Sequence, residues 1–419
     1  MPFPRKKTQK LFAAWVEIEK KKVYTYHKRE SAHRKGANVL MVKNTRNAEY
    51  TKEYNRKMFL RLLRMAPMSR AEIARRMGLT RAATSLIADE LLSEGLIEET
   101  TANGTHRGRT PVPLTLRRDA LYGVGIYLNR DGCTAGIVDM CGDVPVKERL
   151  RMEGTGKREK LELLAETVER MQHQAGIPRE KLIGVGVSAP GPLDGESGII
   201  LNPPRFDLWH YTEIGTILQE RLGLPIYLEN NASCLARYNH GKAEAMGSEN
   251  FLLLLVDSGV GSGVVSGGKV LKGAGYFTSE LGHTSIDYKG RSCACGNIGC
   301  LEAYAAIPNL LRNTPFTSWR EVMDCRQENP GAMELVERET DYLAAGIANM
   351  TNLVSLDTVL LAGELRYGAA ELAPILERKV NSRILRRNIL PMRVLPSCAG
   401  PDSGVLAAAD VAFGRFLVV

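Results

Sequence analysis

No apolar run in this 419-residue chain reaches the roughly 18 residues that a membrane span requires, which excludes a helical transmembrane protein and removes the membrane from the expected partners. The start, Met1-Pro2-Phe3-Pro4-Arg5-Lys6-Lys7, lacks an apolar stretch followed by a small-residue cleavage site. No secretory signal is read there, and the cytoplasm is the expected compartment. Cysteine is sparse: eight residues, too few for a disulfide scaffold. What is present is an ordinary globular balance, 44% hydrophobic and 25% charged, over a length that predicts about two to four domains.

Charge is unevenly placed. Residues 1–45 hold 12 Lys/Arg against 3 Asp/Glu, residues 46–118 hold 14 against 8, and the remaining chain holds 30 against 36. A basic front end therefore precedes a slightly acidic body. Residues 1–45 read as a basic N-terminal extension, disordered over most of its length, with a short amphipathic run at Leu11–Val16. The alternatives are a DNA-contacting arm or a true start at Met41.

Residues 46–118 carry the signals of a winged helix-turn-helix. Phe59, Leu60, Leu62 and Leu63 predict a helix over Ala48–Arg64, which Pro67 ends. Ser69 and Glu72 fit a capping box for a short helix Ala71–Met77, and Gly78 breaks it. Thr80 caps a second helix, Arg81–Glu94, with Ala83, Leu86, Ile87, Leu91 and Leu92 as its apolar face. Gly95 stops it. Strand-like runs Leu96–Thr100 and Val112–Leu116 flank Asn103-Gly104 and Arg107-Gly108-Arg109, a hairpin signal. Such a unit places its second helix in the major groove and its hairpin in the minor groove. The expected DNA contacts are Arg81, Thr84 and Ser85 on the helix and Arg107 and Arg109 on the wing, with operator DNA as partner.

Residues 119–419 alternate strands and helices, an α/β body long enough for two lobes with a cleft between them. Strand runs include Gly123–Tyr127, Ala135–Val138, Leu182–Val187, Phe251–Val256 and Thr358–Ala362; helices fall near Leu161–Ala175 and Asp341–Val354. Within the body, His283, Cys293, Cys295 and Cys300 make H-x9-C-x-C-x4-C. Three thiolates and one imidazole satisfy a closed, four-coordinate structural zinc, one per chain. Asp257-Ser258-Gly259-Val260-Gly261-Ser262-Gly263 follows the strongest strand run and suits either a phosphate cradle or a tight turn. Glu229-Asn230-Asn231 and Ala189-Pro190-Gly191-Pro192, at strand ends, suit either polyol binding or turn formation.

The segment Gly282-His283…Cys293-Ala294-Cys295-Gly296-Asn297-Ile298-Gly299-Cys300-Leu301-Glu302 resembles the signature of the ROK family of repressors and sugar kinases, and Ser188–Asp194 and the Asp257–Gly263 turn match too. The resemblance covers about residues 50–419, and the front end is similar to that of the family's xylose-type repressor branch. It implies an actin/hexokinase-like (ribonuclease H-like) body of two lobes, assembled as a homodimer or homotetramer, with the sugar in the cleft. The resemblance assigns sugar contacts to Asn202, Asn230, Glu280, His283 and Glu302, with His283 using one nitrogen for zinc and the other for sugar. The chain departs from the family's kinases at two places. Asn231 stands where they carry the catalytic Asp, and an amide cannot take a hydroxyl proton at neutral pH. Their first phosphate turn, Asp-x-Gly-Gly-Thr, falls on Tyr127-Leu128-Asn129-Arg130-Asp131. The expectation is a non-enzymatic, sugar-responsive repressor of carbohydrate genes with degenerate kinase machinery. The alternatives are a sugar kinase with an added DNA-binding domain, and a repressor controlled by a regulatory protein.

Overall fold

The computed structural model describes residues 48–100, 112–130, 132–152, 156–245, 247–273, 278–398 and 400–417. The extension 1–45, the hairpin tip Asn103-Gly104, and Arg107 and Arg109 lie outside the described residues. Residues 56–419 form one unit; of the unit before it, only the opening turns of the first helix are described.

The front end is built by short-range signals. Helix α1 (Ala48–Met65) buries Phe59, Leu60 and Leu63 along one face and stops ahead of Pro67. Strand β1 (Met68–Ser69) leads into helix α2 (Arg70–Met77), whose Ser69 Oγ accepts the Glu72 N–H at 3.3 Å. Gly78 closes α2 at φ 65°. Helix α3 (Arg81–Ser93) starts at Thr80, whose Oγ1 accepts the Ala83 N–H at 3.2 Å. Strands β2 (Ile97–Glu99) and β3 (Pro113–Leu116) pair antiparallel, and β1 adds to the other edge of β3. Ile73, Ile87, Leu91, Ile97 and Leu114 fill the space between. One expectation is corrected here. Leu86, placed with Ile87 on the apolar face of the helix, is 64% exposed. The buried stripe of α3 is set by Thr84, Ile87, Ala88 and Leu91, and Leu86 sits about 100° round the helix from Ile87.

The body repeats one topology twice. In lobe I, β4 (Tyr122–Asn129), β5 (Gly132–Asp139) and β6 (Val146–Leu150) form an antiparallel meander. Helix α4 (Lys157–Gln174) crosses to β7 (Leu182–Ala189), parallel to β4. A small ladder, β8 (Leu193–Asp194) with β9 (Ile199–Ile200), and helix α5 (Ile214–Leu222) lead to β10 (Ile226–Asn230), parallel to β7. Lobe II begins after helix α6 (Asn231–Ala245) with the meander β11 (Phe251–Val256), β12 (Val260–Ser266) and β13 (Lys269–Val270). Helix α7 (Pro330–Leu353), strand β14 (Thr358–Gly363), helix α8 (Ala369–Arg383) and strand β15 (Arg393–Pro396) extend it in parallel. Sheet orders are β10-β7-β4-β5-β6 and β13-β12-β11-β14-β15. Helix α7 starts well before the predicted Asp341, because Asn329 caps it and Pro330 occupies its first turn.

Helices cover both faces of both sheets, which is why their parallel strands are unbroken apolar runs. Helices α4 and α5 cover the outer face of lobe I, and α7 and α8 that of lobe II. Helix α6 and the last helix, α9 (Ser403–Phe416), lie between the sheets. Contact there is too close for a side chain: a Cβ on Gly186 of β7 would lie 1.8 Å from the Ala408 carbonyl oxygen. Helix α9 also receives the front end. Val405, Ala409 and Phe413 share one apolar cluster with Phe59, Leu60 and Leu63. Arg64 pairs with Asp410 at 3.0 Å and lies 4.3 Å from the Phe413 ring centre. No described helix is long and apolar enough to cross a membrane.

Replacing Gly186 by Ala should push α9 off the lobe I sheet and cost roughly 1–3 kcal/mol, the usual scale of overpacking, read by urea unfolding. Unchanged stability would refute the close approach.

Candidate functional site

The lobes face each other across a cleft. Lobe I contributes Tyr127, Asn129 and Arg130 from the end of β4, Pro190 and Gly191 after β7, and Asn230 and Asn231 at the β10–α6 junction. Lobe II contributes the Asp257–Gly261 turn, Glu280, His283 and Glu302. Four of the five expected sugar contacts, Asn230, Glu280, His283 and Glu302, thus line one cavity. The fifth, Asn202, is exposed and is not among the lining residues. Its neighbours Pro203 and Pro204 turn their carbonyls inward instead, to His210 and Arg130.

Polar atoms in the cleft are oriented. Asn230 Oδ1 accepts the N–H groups of Ala232 and Ser233 at the start of α6, at 2.9 and 3.3 Å. Its Nδ2 and Glu280 Oε1 would lie 2.9 and 3.2 Å from a Cβ built on Gly191, so a donor and an acceptor flank that glycine. Glu280 opens to solvent through the mouth, but the packed walls and, second, the Glu302 charge raise its carboxyl above the ordinary range. Glu302 is buried, and its Oε2 accepts the Val260 N–H at 3.0 Å. Burial lowers the His283 pKa, opposed by Glu302 and reinforced by Arg130. Acceptors of this kind suit the hydroxyl donors of a polyol.

Asn231 has both ends of its amide engaged. Oδ1 accepts the Ser188 hydroxyl at 2.6 Å, and Nδ2 donates to the Leu128 carbonyl at 2.9 Å. The position demands a donor on one side, which an ionised aspartate lacks.

His283 also belongs to a second cluster. Its donor nitrogen and the sulfurs of Cys293, Cys295 and Cys300 all lie within 4.8 Å of one another. Cys293 Sγ is 3.7 Å from His283 Nδ1, and Cys295 Sγ is 3.7 Å from Cys300 Sγ. A tetrahedron with metal–sulfur bonds of about 2.3 Å has edges of about 3.8 Å, so the set fits zinc. Gly299 holds φ 74°, and a Cβ there would lie 1.7 Å from the Asp287 carbonyl oxygen, so only glycine lets the loop return. Burial first, and the neighbouring thiols second, push the Cys300 thiol up to about 12, a cost that a bound cation would relieve.

Of the expected DNA contacts, Arg81 is exposed and Ser85 half-buried on α3. Thr84 is corrected. It has no exposed surface, and its hydroxyl donates to the Thr80 carbonyl at 3.1 Å, so it packs the core of the front end and cannot meet a base. Sequence reading also missed Arg130 as a cleft residue. Its only trace there is a long cation where the resemblance places a glycine.

The model of the ROK family matches residues 124–414, and the chain belongs to that family. The xylose repressor of Bacillus subtilis is 25% identical over 374 residues, 88% of this chain and 97% of that protein. A solved ROK transcriptional regulator, described as a homologue of the Escherichia coli MLC protein, has a TM-score of 0.73 at 23% identity, covering 88% of this chain and 97% of its own. The ROK hexokinase of Thermus thermophilus has a TM-score of 0.59 at 30% identity, covering 71% of this chain and 99% of its own.

Metal analysis should find about one zinc per chain, and Cys295→Ser should lose both the metal and thermal stability. A metal-free protein of full stability would sink the assignment. Asn231→Asp should set a carboxylate against the Leu128 carbonyl and destabilise the fold by roughly 1–3 kcal/mol. ATP turnover with hexoses should stay at background in that variant; turnover gained by this one change would refute the reading of a dismantled phosphoryl-transfer site.

Proposed function

We propose that this protein is a DNA-binding transcriptional repressor of carbohydrate-metabolism genes whose operator binding is modulated by a sugar held between the lobes. The carrying observation is that a front end of capped helices packs on the last helix of a body whose cleft is rich in hydroxyl acceptors and whose candidate base, Asn231, is an amide bonded on both sides. The unit of α1–α3 with β1–β3 is the winged helix, with α3 for the major groove. Arg81 and Ser85 are its base or phosphate contacts, and Arg107 and Arg109 those of the wing. Repression by the similar Bacillus protein supports this reading.

Asn230, Glu280, His283 and Glu302 hold the sugar. His283 gives Nδ1 to the zinc and has Nε2 left for the ligand, so the zinc loop orients a sugar contact as well as stabilising lobe II. Kinase activity is not expected, although the fold is shared with a hexokinase, because fold alone does not transfer chemistry. The operator-binding form is a homodimer or homotetramer. The sugar acts as a switch only if it favours one arrangement of the two DNA-reading heads over the other.

The test combines thermal shift across D-xylose, D-glucose, N-acetyl-D-glucosamine and disaccharides with DNA binding by gel shift. One sugar should raise the melting temperature and alter DNA affinity, and binding should weaken steeply with salt. Glu280→Ala should keep DNA binding and lose the sugar response. A variant that still responds would remove the cleft from the mechanism, and no shift with any sugar would favour control by a protein partner.

A further inference from the structure

Arg130 follows the last residue of β4 in lobe I, and its side chain is 15% exposed. Its guanidinium reaches three separate segments. Nη1 donates to the Ser258 carbonyl in the lobe II turn at 2.8 Å, and Nη2 donates to the Pro204 carbonyl at 3.1 Å and to Glu302 Oε1 at 3.4 Å. Ser258 and Glu302 belong to lobe II, so two of the three contacts cross the cleft. The approach depends on Gly259. A Cβ there would lie 2.2 Å from Arg130 Nη1 and 2.7 Å from Glu302 Oε2.

Separation of the lobes would take the Ser258 carbonyl and Glu302 away from this cation. The closed arrangement alone satisfies a guanidinium that is largely out of water. Glu302 is meanwhile held from two sides, by Arg130 on Oε1 and by the Val260 N–H on Oε2, and each oxygen keeps a further lone pair for a hydroxyl. A polyol spanning Asn230 in lobe I and Glu280 in lobe II would bridge the same gap that Arg130 already bridges.

Resting on the sugar-cleft reading above, we propose that Arg130 is the interlobe latch of this cleft: a positioning residue that holds the lobes closed before ligand arrives and presents Glu302 to it. Ligand then meets a preformed site. Without the latch it must close the cleft at the expense of its own binding energy.

The test compares the full-length, zinc-loaded wild type with Arg130→Met, which keeps length and loses the donors, and Arg130→Lys, which keeps the charge and loses the fork. Amide exchange is followed by mass spectrometry on protein alone and with D-xylose, D-glucose or N-acetyl-D-glucosamine. In the absence of sugar, residues 258–260 should exchange at least tenfold faster in Arg130→Met, with Arg130→Lys intermediate. A sugar that binds wild type should bind Arg130→Met at least tenfold more weakly by calorimetry. It should also add more protection at residues 258–260 in the variant than in wild type, an inversion that simple loss of stability would not produce. Equal exchange in wild type and both variants, or an unchanged sugar affinity, would overturn the latch. If no sugar binds wild type, the sugar reading fails, while the ligand-free exchange comparison still decides whether Arg130 holds the lobes.

Discussion

Everything in this structure leans on the seating of the last helix, Ser403–Phe416. It lies on the lobe I sheet where Gly186 leaves room for its backbone, and packs against α6 between the two sheets. Its other flank, through Asp410 and Phe413, takes the first helix of the front end. One helix therefore joins the sheet that forms one wall of the cleft to the helices of the front end. In the proposed repressor this shared helix is the packed connection between the ligand cleft and the DNA-binding end.

The cleft is chemically one-sided. Its strongest groups are acceptors, Glu280 and Glu302, and its cation is already committed to carbonyls and to Glu302. This arrangement fits a ligand that donates hydroxyl protons. The amide of Asn231 serves structure, tying the start of α6 to β4 and β7. His283 belongs both to the His/Cys cluster that could hold a metal and to the lining of the cleft.

Much of this was legible in the residues alone. Capping by Ser69 and Thr80 and the breaks at Gly78 and Pro67 act over three or four residues, so the front-end helices appeared within one or two residues of their ends. The apolar runs Phe251–Val256 and Thr358–Ala362 became neighbouring buried strands. The cysteine spacing led to a closed four-ligand cluster, because a tetrahedral site on a short loop constrains sequence separation directly. The misreadings share a different cause. Thr84 and Leu86 exchanged their expected places because the packing of three helices and a small sheet, rather than apolarity, chose the buried stripe of α3. Asn202 fell outside the cleft wall because its loop turns backbone carbonyls inward rather than that side chain.

The sequence by itself determined the parts: a basic front end with capped helices, an α/β body, a His/Cys loop of metal-ligand spacing, and an amide where a catalytic acid would stand. These depend on local hydrogen bonding, residue period and short loop geometry. Only the tertiary structure decided what faces the cleft and how the lobes meet across it. Arg130 is separated from both Ser258 and Glu302 by more than a hundred residues, and no local rule relates a cation after β4 to a carboxylate beyond the cysteine loop. Their meeting follows from two sheets of like topology folding toward each other, with a glycine at 259 leaving just enough space for the guanidinium between them.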